Sequence, residues 1–244
     1  MTAKEHYETH LANVYSWMLG EFHEKMSEQM DFFLRHKLLP SHNGVALDLG
    51  AGNGIQSVAL AKLGFKVTSI DFNKQLLHEL TLNSKGLPIT VRENDILSFF
   101  NTLSERAELI VCMGDTLTHL SDYDDVSQLI KSCTDNLVDR GKLVFAFRDL
   151  ANERKGSDRF FHVRSDEKRS MTCFLEYFPG HVMVYDILTE KEGEGWMQKV
   201  SSYPKLRIPV SKFKNTLTAH GLQIIHEEDR RGMTYLIAYA PDPR

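Results

Sequence analysis

The sequence predicts an α/β fold: a seven-stranded, mostly parallel, doubly wound sheet carrying an antiparallel strand insertion that forms a substrate cap. Two observations predict it. From Val45 onwards, short apolar runs alternate with helical stretches, and repeated βα units of this length build a parallel sheet with helices on both faces. After Arg148 the helices give way to four strand-like runs in succession, the signature of antiparallel pairing.

The elements follow in chain order. Residues 5–20 are mixed, with Tyr7, Tyr15 and Trp17 as their aromatic members. From Glu21 a helical period appears, with Phe22, Met26, Met30, Phe33 and Leu34 on one face. Pro40, Ser41, Asn43 and Gly44 end it in a loop. Val45–Leu49 reads as the first strand, Ile55–Leu63 as a helix closed by Gly64, and Lys66–Asp71 as the second strand. Lys74–Asn83 is a helix, Ile89–Arg92 a third strand, and Glu108–Met113 a fourth. Asp124–Val138 reads as a helix punctuated by Gly141, before a fifth strand at Leu143–Phe147. The insertion spans about residues 159–203, with strands at Phe160–Val163, Met171–Phe178, His181–Leu188 and Trp196–Tyr203 and a tight turn at Pro179-Gly180. Val210–Ala219 is a last helix, and Leu222–His226 and Thr234–Tyr239 form a hairpin through Arg230-Arg231-Gly232. We expect an N-terminal helical segment over residues 1–40 and one domain over 41–244 that contains the insertion.

Composition narrows the function. The chain has 244 residues, a hydrophobic fraction of 42% and a formal net charge of −4, an ordinary soluble profile. It has no apolar run long enough to cross a membrane and no secretory signal, so a cytoplasmic location is expected. Mild acidity without a basic module argues against nucleic acid as partner. Cys112, Cys133 and Cys173 form no C-x-x-C and read as reduced thiols. The 11 histidines show no metal-ligand spacing, so no metal is expected. The charged run from Arg154 to Arg169 alternates sign and reads as a solvated face.

The most informative stretch is Asp48-Leu49-Gly50-Ala51-Gly52-Asn53-Gly54, placed between the first strand and a helix. Glycines let the backbone turn tightly and approach a ligand, and a helix N-terminus favours an anionic group. The second strand ends in Asp71, where an acid can accept both hydroxyls of a ribose. The spacing is neither G-x-G-x-x-G nor a P-loop.

At these residues, from Val45 to Phe147, the chain resembles the class I S-adenosylmethionine-dependent methyltransferases, whose sheet is Rossmann-like. The resemblance implies S-adenosyl-L-methionine as cofactor and S-adenosyl-L-homocysteine as product. It places the methionine part at Asp48, Gly50, Ala51, Gly52 and Gly54, the ribose at Asp71, and the adenine at Asp95 between Ile96 and Phe72. The stretch Met113-Gly114-Asp115 after the fourth strand faces the same cleft in that family, and a histidine follows it, here His119. That stretch, Phe147-Arg148-Asp149 and Val200-Ser201-Ser202-Tyr203-Pro204 are similar to glycine N-methyltransferase and its small-molecule relatives.

The expected reaction is methyl transfer to a small molecule, at an amine nitrogen, with His119, Arg148 and Tyr203 as catalytic candidates. Tyr15 and Trp17 are candidates to close over the cofactor. Plainer readings stand beside these: core packing for Tyr15, Trp17, Tyr177 and Tyr203, a satisfied structural role for His119, and an ion pair for Arg148. O- or C-methylation, a nucleic-acid or protein acceptor, a non-catalytic cofactor-binding protein and a nicotinamide-dependent oxidoreductase remain as alternatives, and a homo-oligomer is compatible with the sequence.

Overall fold

The computed structural model describes residues 2–241. Its central sheet has seven strands in the order β10-β11-β5-β4-β1-β2-β3. Strands β1 (Val45–Leu49), β2 (Lys66–Asp71), β3 (Ile89–Glu93), β4 (Ala107–Cys112) and β5 (Leu137–Arg148) run parallel. The hairpin of β10 (Gln223–Arg230) and β11 (Met233–Tyr239) joins antiparallel to β5, with Thr234 opposite Phe147. Strand β4 is buried at every position, as expected for a strand covered on both faces.

Helices cover the two faces. On one, α6 (Tyr123–Asp135) and α7 (Val210–Ala219) pack Val126, Leu129, Phe213 and Leu217 against Ile110, Phe145 and Phe147. On the other, α3 (Phe22–Arg35) and α4 (Ile55–Lys62) pack Phe33, Val58 and Leu60 against Ala46, Val111 and Val144. Helix α5 (Lys74–Asn83) is capped by Asn73, whose side-chain oxygen accepts the Leu76 amide at 3.0 Å.

The insertion is a second, separate sheet of β6 (Phe160–Ser165), β7 (Arg169–Tyr177), β8 (His181–Glu192) and β9 (Gly195–Leu206), antiparallel throughout. Cys173, Leu175, Val182, Val184 and Tyr203 form the core of its inner face.

Two stretches add to the sequence reading. Within the helical segment expected over residues 1–40, residues 5–20, which show no clear period in sequence, form one run: α1 (Ala3–His6), a π-helical turn (Tyr7–Leu11) and α2 (Ala12–Leu19) follow without a break. Thr2 and Glu5 form a reciprocal cap at the start, and Gly20 stops the run at φ +99°. The widened π turn disrupts the period of 3.6 that sequence reading relies on. The second stretch is at α6, which ends at Asp135 and not Val138. Buried Leu137 instead opens β5 opposite Ala107, and the register then jumps to Lys142 opposite Leu109. The intervening bulge holds Arg140 at φ +61°.

Candidate active site at the carboxyl ends of the parallel strands

The chain crosses from β3 to β4 over β1 and β2, so β1 has neighbours leading away on both sides. Open α/β sheets bind ligands at the carboxyl ends of the strands beside such a switch point. The cleft here is built from the residues that follow those ends: Gly50 and Gly52 after β1, Asp71 and Phe72 at β2, Asp95 and Ile96 after β3, and Met113 to Thr116 after β4. Its internal volume is about 100 Å³, because Tyr7 and Tyr15 of the N-terminal helical run line it as well.

The glycines are required locally. Gly50 sits at φ +74°, and a Cβ there would lie 2.3 Å from the Thr116 side chain. Gly52 sits at φ +53° directly under the Tyr15 ring, 3.3 Å from its hydroxyl to a built Cβ. Asp71 ties the loop to β2: one carboxylate oxygen accepts the Gly52 amide at 2.8 Å and the other the Asn73 amide at 2.9 Å. Burial raises its pKa, and the amides of Asn73 and Gly52 oppose the rise. A carboxylate offers about four acceptor positions, so Asp71 keeps capacity for ribose hydroxyls. Asp95 is exposed, and one of its oxygens accepts the Leu97 amide at 2.9 Å.

At the β4 side, Asp115 lies between two cations. Lys205 Nζ is 2.6 Å and Arg148 Nε 3.2 Å from the same carboxylate oxygen, and the Arg148 amide donates to the other at 3.0 Å. Burial would raise the Asp115 pKa, but Lys205 and Arg148 outweigh it and hold the carboxyl well below its usual range. His119 lies next to this group and lines the cleft. Its Nε2 is 3.4 Å from the Tyr7 hydroxyl, with the donor set by the tautomer, and its buried Nδ1 has no hydrogen-bond partner among the described residues. Burial, then the nearby Lys205, push the His119 pKa down to about 3, so the ring is neutral at physiological pH. Burial also raises the Tyr7 phenol well above its ordinary value and takes Tyr15 up as well, so both stay protonated.

Residues 46–141 match the family model described as "Methyltransferase domain". Over that stretch, about two fifths of its length, the chain is similar to S-adenosylmethionine-dependent methyltransferases. It is 33% identical over 101 residues to a ubiquinone biosynthesis O-methyltransferase of Proteus mirabilis, covering 41% of this chain and 39% of that protein. It is 28% identical over 110 residues to a glycine/sarcosine N-methyltransferase of Aphanothece halophytica, covering 44% and 41%. The chain thus spans about two fifths of the length of these curated relatives. The structure of an amino pentose methyltransferase from Micromonospora echinaspora, solved with S-adenosylmethionine bound, superposes with TM-score 0.75 at 13% identity, covering 91% and 92% of the two chains.

The cleft suits S-adenosylmethionine: a glycine cradle, a carboxylate with free acceptor positions, and Phe72 and Ile96 as apolar partners for a purine. Other sequence candidates lie elsewhere. Asp48 points into the core, accepting the Ser57 hydroxyl at 2.5 Å. Burial raises its pKa to about 7 against that hydrogen bond. Ala51 packs with Leu77 and Leu80, and a Cβ on Gly54 would meet Leu80 at 2.7 Å, so both shape the loop from behind. Trp17 donates its indole N–H to Asp166 at 2.5 Å and lies against Arg164 and Arg169. Arg148 is engaged by Asp115 rather than free for a substrate carboxylate. Tyr203 is buried behind the cleft, stacked on His6 at 4.0 Å, with His119 5.7 Å beyond.

Sequence reasoning missed Tyr7, Lys205 and the buried pair His6–Asp186, whose Nε2 and Oδ2 are 3.0 Å apart. Tyr7 was legible as an aromatic residue, but only the packing of the helical run over the cleft places it there with Tyr15. Lys205 and Asp186 carry no local signal, because their partners come from distant elements.

Proposed function

We propose that the protein transfers a methyl group from S-adenosylmethionine to a small-molecule amine. The observation that carries this reading is the neutral His119, paired with Tyr7 at the inner end of the cleft. The cofactor supplies a methyl group already activated on a sulfonium, so the protein chiefly positions and dehydrates the reactants. Tyr7 and Tyr15 exclude water from above. Gly50, Gly52 and Asp71 fix the cofactor's orientation, and Met113 to Asp115 border the methyl-facing end.

The acid–base groups favour nitrogen over oxygen. A hydroxyl acceptor needs a base to remove its proton, and no group beside His119 offers one. The imidazole is too weak a base at a pKa of about 3, Asp115 is held as a carboxylate by Lys205 and Arg148, and the Tyr7 and Tyr15 phenols stay protonated. A neutral amine needs only an acceptor for its N–H, which the His119 ring nitrogen provides while leaving the lone pair free to attack. The Aphanothece and Micromonospora proteins, named for N-methylation of glycine and for an amino sugar, support the same class.

The test is turnover with a panel of primary amines, including amino sugars and small amino acids, beside phenols and alcohols, read by product mass. Methylated amine is the expected product. Methylation of hydroxyl acceptors alone would replace the nitrogen reading, and cofactor binding without turnover of any acceptor would leave a binding protein.

A further inference from the structure

Outside the cleft, a second polar cluster joins the two ends of the chain. His36 caps the C-terminal end of α3, and His226, Glu228 and Arg230 alternate along one side of β10. The two imidazole rings lie with centroids 4.1 Å apart, tilted at 45° to one another. His36 Nε2 is 3.8 Å from one Glu228 oxygen, and His226 Nε2 is 3.8 Å from the other. Both ring nitrogens and Glu228 Oε1 are buried, yet none has a hydrogen-bond partner among the described residues. Buried polar atoms are nearly always paired, and here three electron-pair donors converge within 4.8 Å.

We propose that His36, His226 and Glu228 form a binding site for a divalent transition metal, zinc by preference. Two imidazoles and a carboxylate are a donor set suited to zinc, and three protein ligands leave a fourth position for water. Ligand atoms around a tetrahedral zinc lie about 3.3 Å apart, and the three donor atoms here lie within 4.8 Å of one another, so side-chain shifts of about 1 Å gather them around an ion.

Arg230 Nη2 lies 2.6 Å from Glu228 Oε1, while its guanidinium stacks over Phe32 and Tyr235. That contact lacks hydrogen-bond geometry for either atom. It orients the carboxylate from outside, as outer partners of metal ligands do. A filled site would cross-link the end of α3 to the edge strand of the main sheet. The ligands come from opposite ends of the sequence, which is why no spacing motif announces them.

The experiment is titration of the full, tag-free chain with Co²⁺, read by its visible d–d absorption, followed by competition with Zn²⁺ and thermal unfolding. One Co²⁺ per chain with tetrahedral absorption, displaced by Zn²⁺, and a zinc-dependent rise in Tm are expected. His36→Gln, His226→Gln and Glu228→Gln should each weaken binding by more than about tenfold, with circular dichroism reporting the fold. His23→Gln, at an exposed position early in α3, should change nothing. Any ligand variant that misfolds is set aside and the other two decide. Absence of tetrahedral absorption in the wild type, or wild-type affinity in folded His226→Gln and Glu228→Gln proteins, overturns the proposal.

Discussion

His119 and Asp48 are both polar residues taken out of water, and their surroundings give them opposite tasks. His119 has one ring nitrogen near Tyr7 and another with no partner, an arrangement suited to a ligand. Replacing it with Ala should lower kcat by about 100-fold while leaving cofactor affinity nearly unchanged, as calorimetry and steady-state rates would show. Asp71→Ala should do the reverse, weakening cofactor binding by about 10–100-fold through a lost charge-assisted hydrogen bond. Asp48 serves the core. Its folded pKa of about 7 exceeds the ordinary value of 3.8, so the folded state holds the proton more tightly. Stability from this group is complete below pH about 4 and is lost as pH rises through about 7. Asp48→Asn keeps an acceptor for Ser57 and removes the charge. It should therefore be more stable than wild type by about 2–4 kcal/mol at pH 8, with the gap closing towards pH 4 in urea titrations.

Among the elements, the N-terminal helical run is the one whose position the site depends on most. Its inner side brings His6 to Asp186, Tyr7 to His119 and Tyr15 over Gly52. At its end Trp17 joins it to the antiparallel sheet through Asp166, Arg164 and Arg169. Trp17→Ala should destabilise this attachment by about 1–3 kcal/mol, seen as faster limited proteolysis near residue 20 and weaker cofactor binding. Strand β9 ties the second sheet to the cleft through Lys205, which is buried against Asp115. Lys205→Met leaves that carboxylate with Arg148 alone and should cost about 3 kcal/mol, measured by denaturant unfolding.

For the molecule as a whole, the main sheet provides the cleft, the N-terminal helical run covers it through Tyr7 and Tyr15, and the second sheet braces its rim through Lys205 on Asp115. No helix of the described residues is long and apolar enough to cross a membrane. S-adenosylhomocysteine at 100 times its Kd should stabilise the fold by about 2.7 kcal/mol, read as a rise in Tm that Asp71→Ala diminishes.

The sequence by itself determined the order of strands and helices from Val45 to Tyr239, because burial on both faces writes continuous apolar runs and glycines mark the turns. It also determined the glycine loop and Asp71, since their chemistry is local: a positive φ at Gly50, an acid at a strand end. Tertiary structure decided what those signals could not carry. How Arg148 is held depended on Asp115 and Lys205, whether Tyr203 reached the cleft depended on His6, and the course of the N-terminal helical run over the cleft depended on a π turn that hides its own period. Each of these rests on contacts between residues far apart in the chain, and such contacts leave no mark on local sequence.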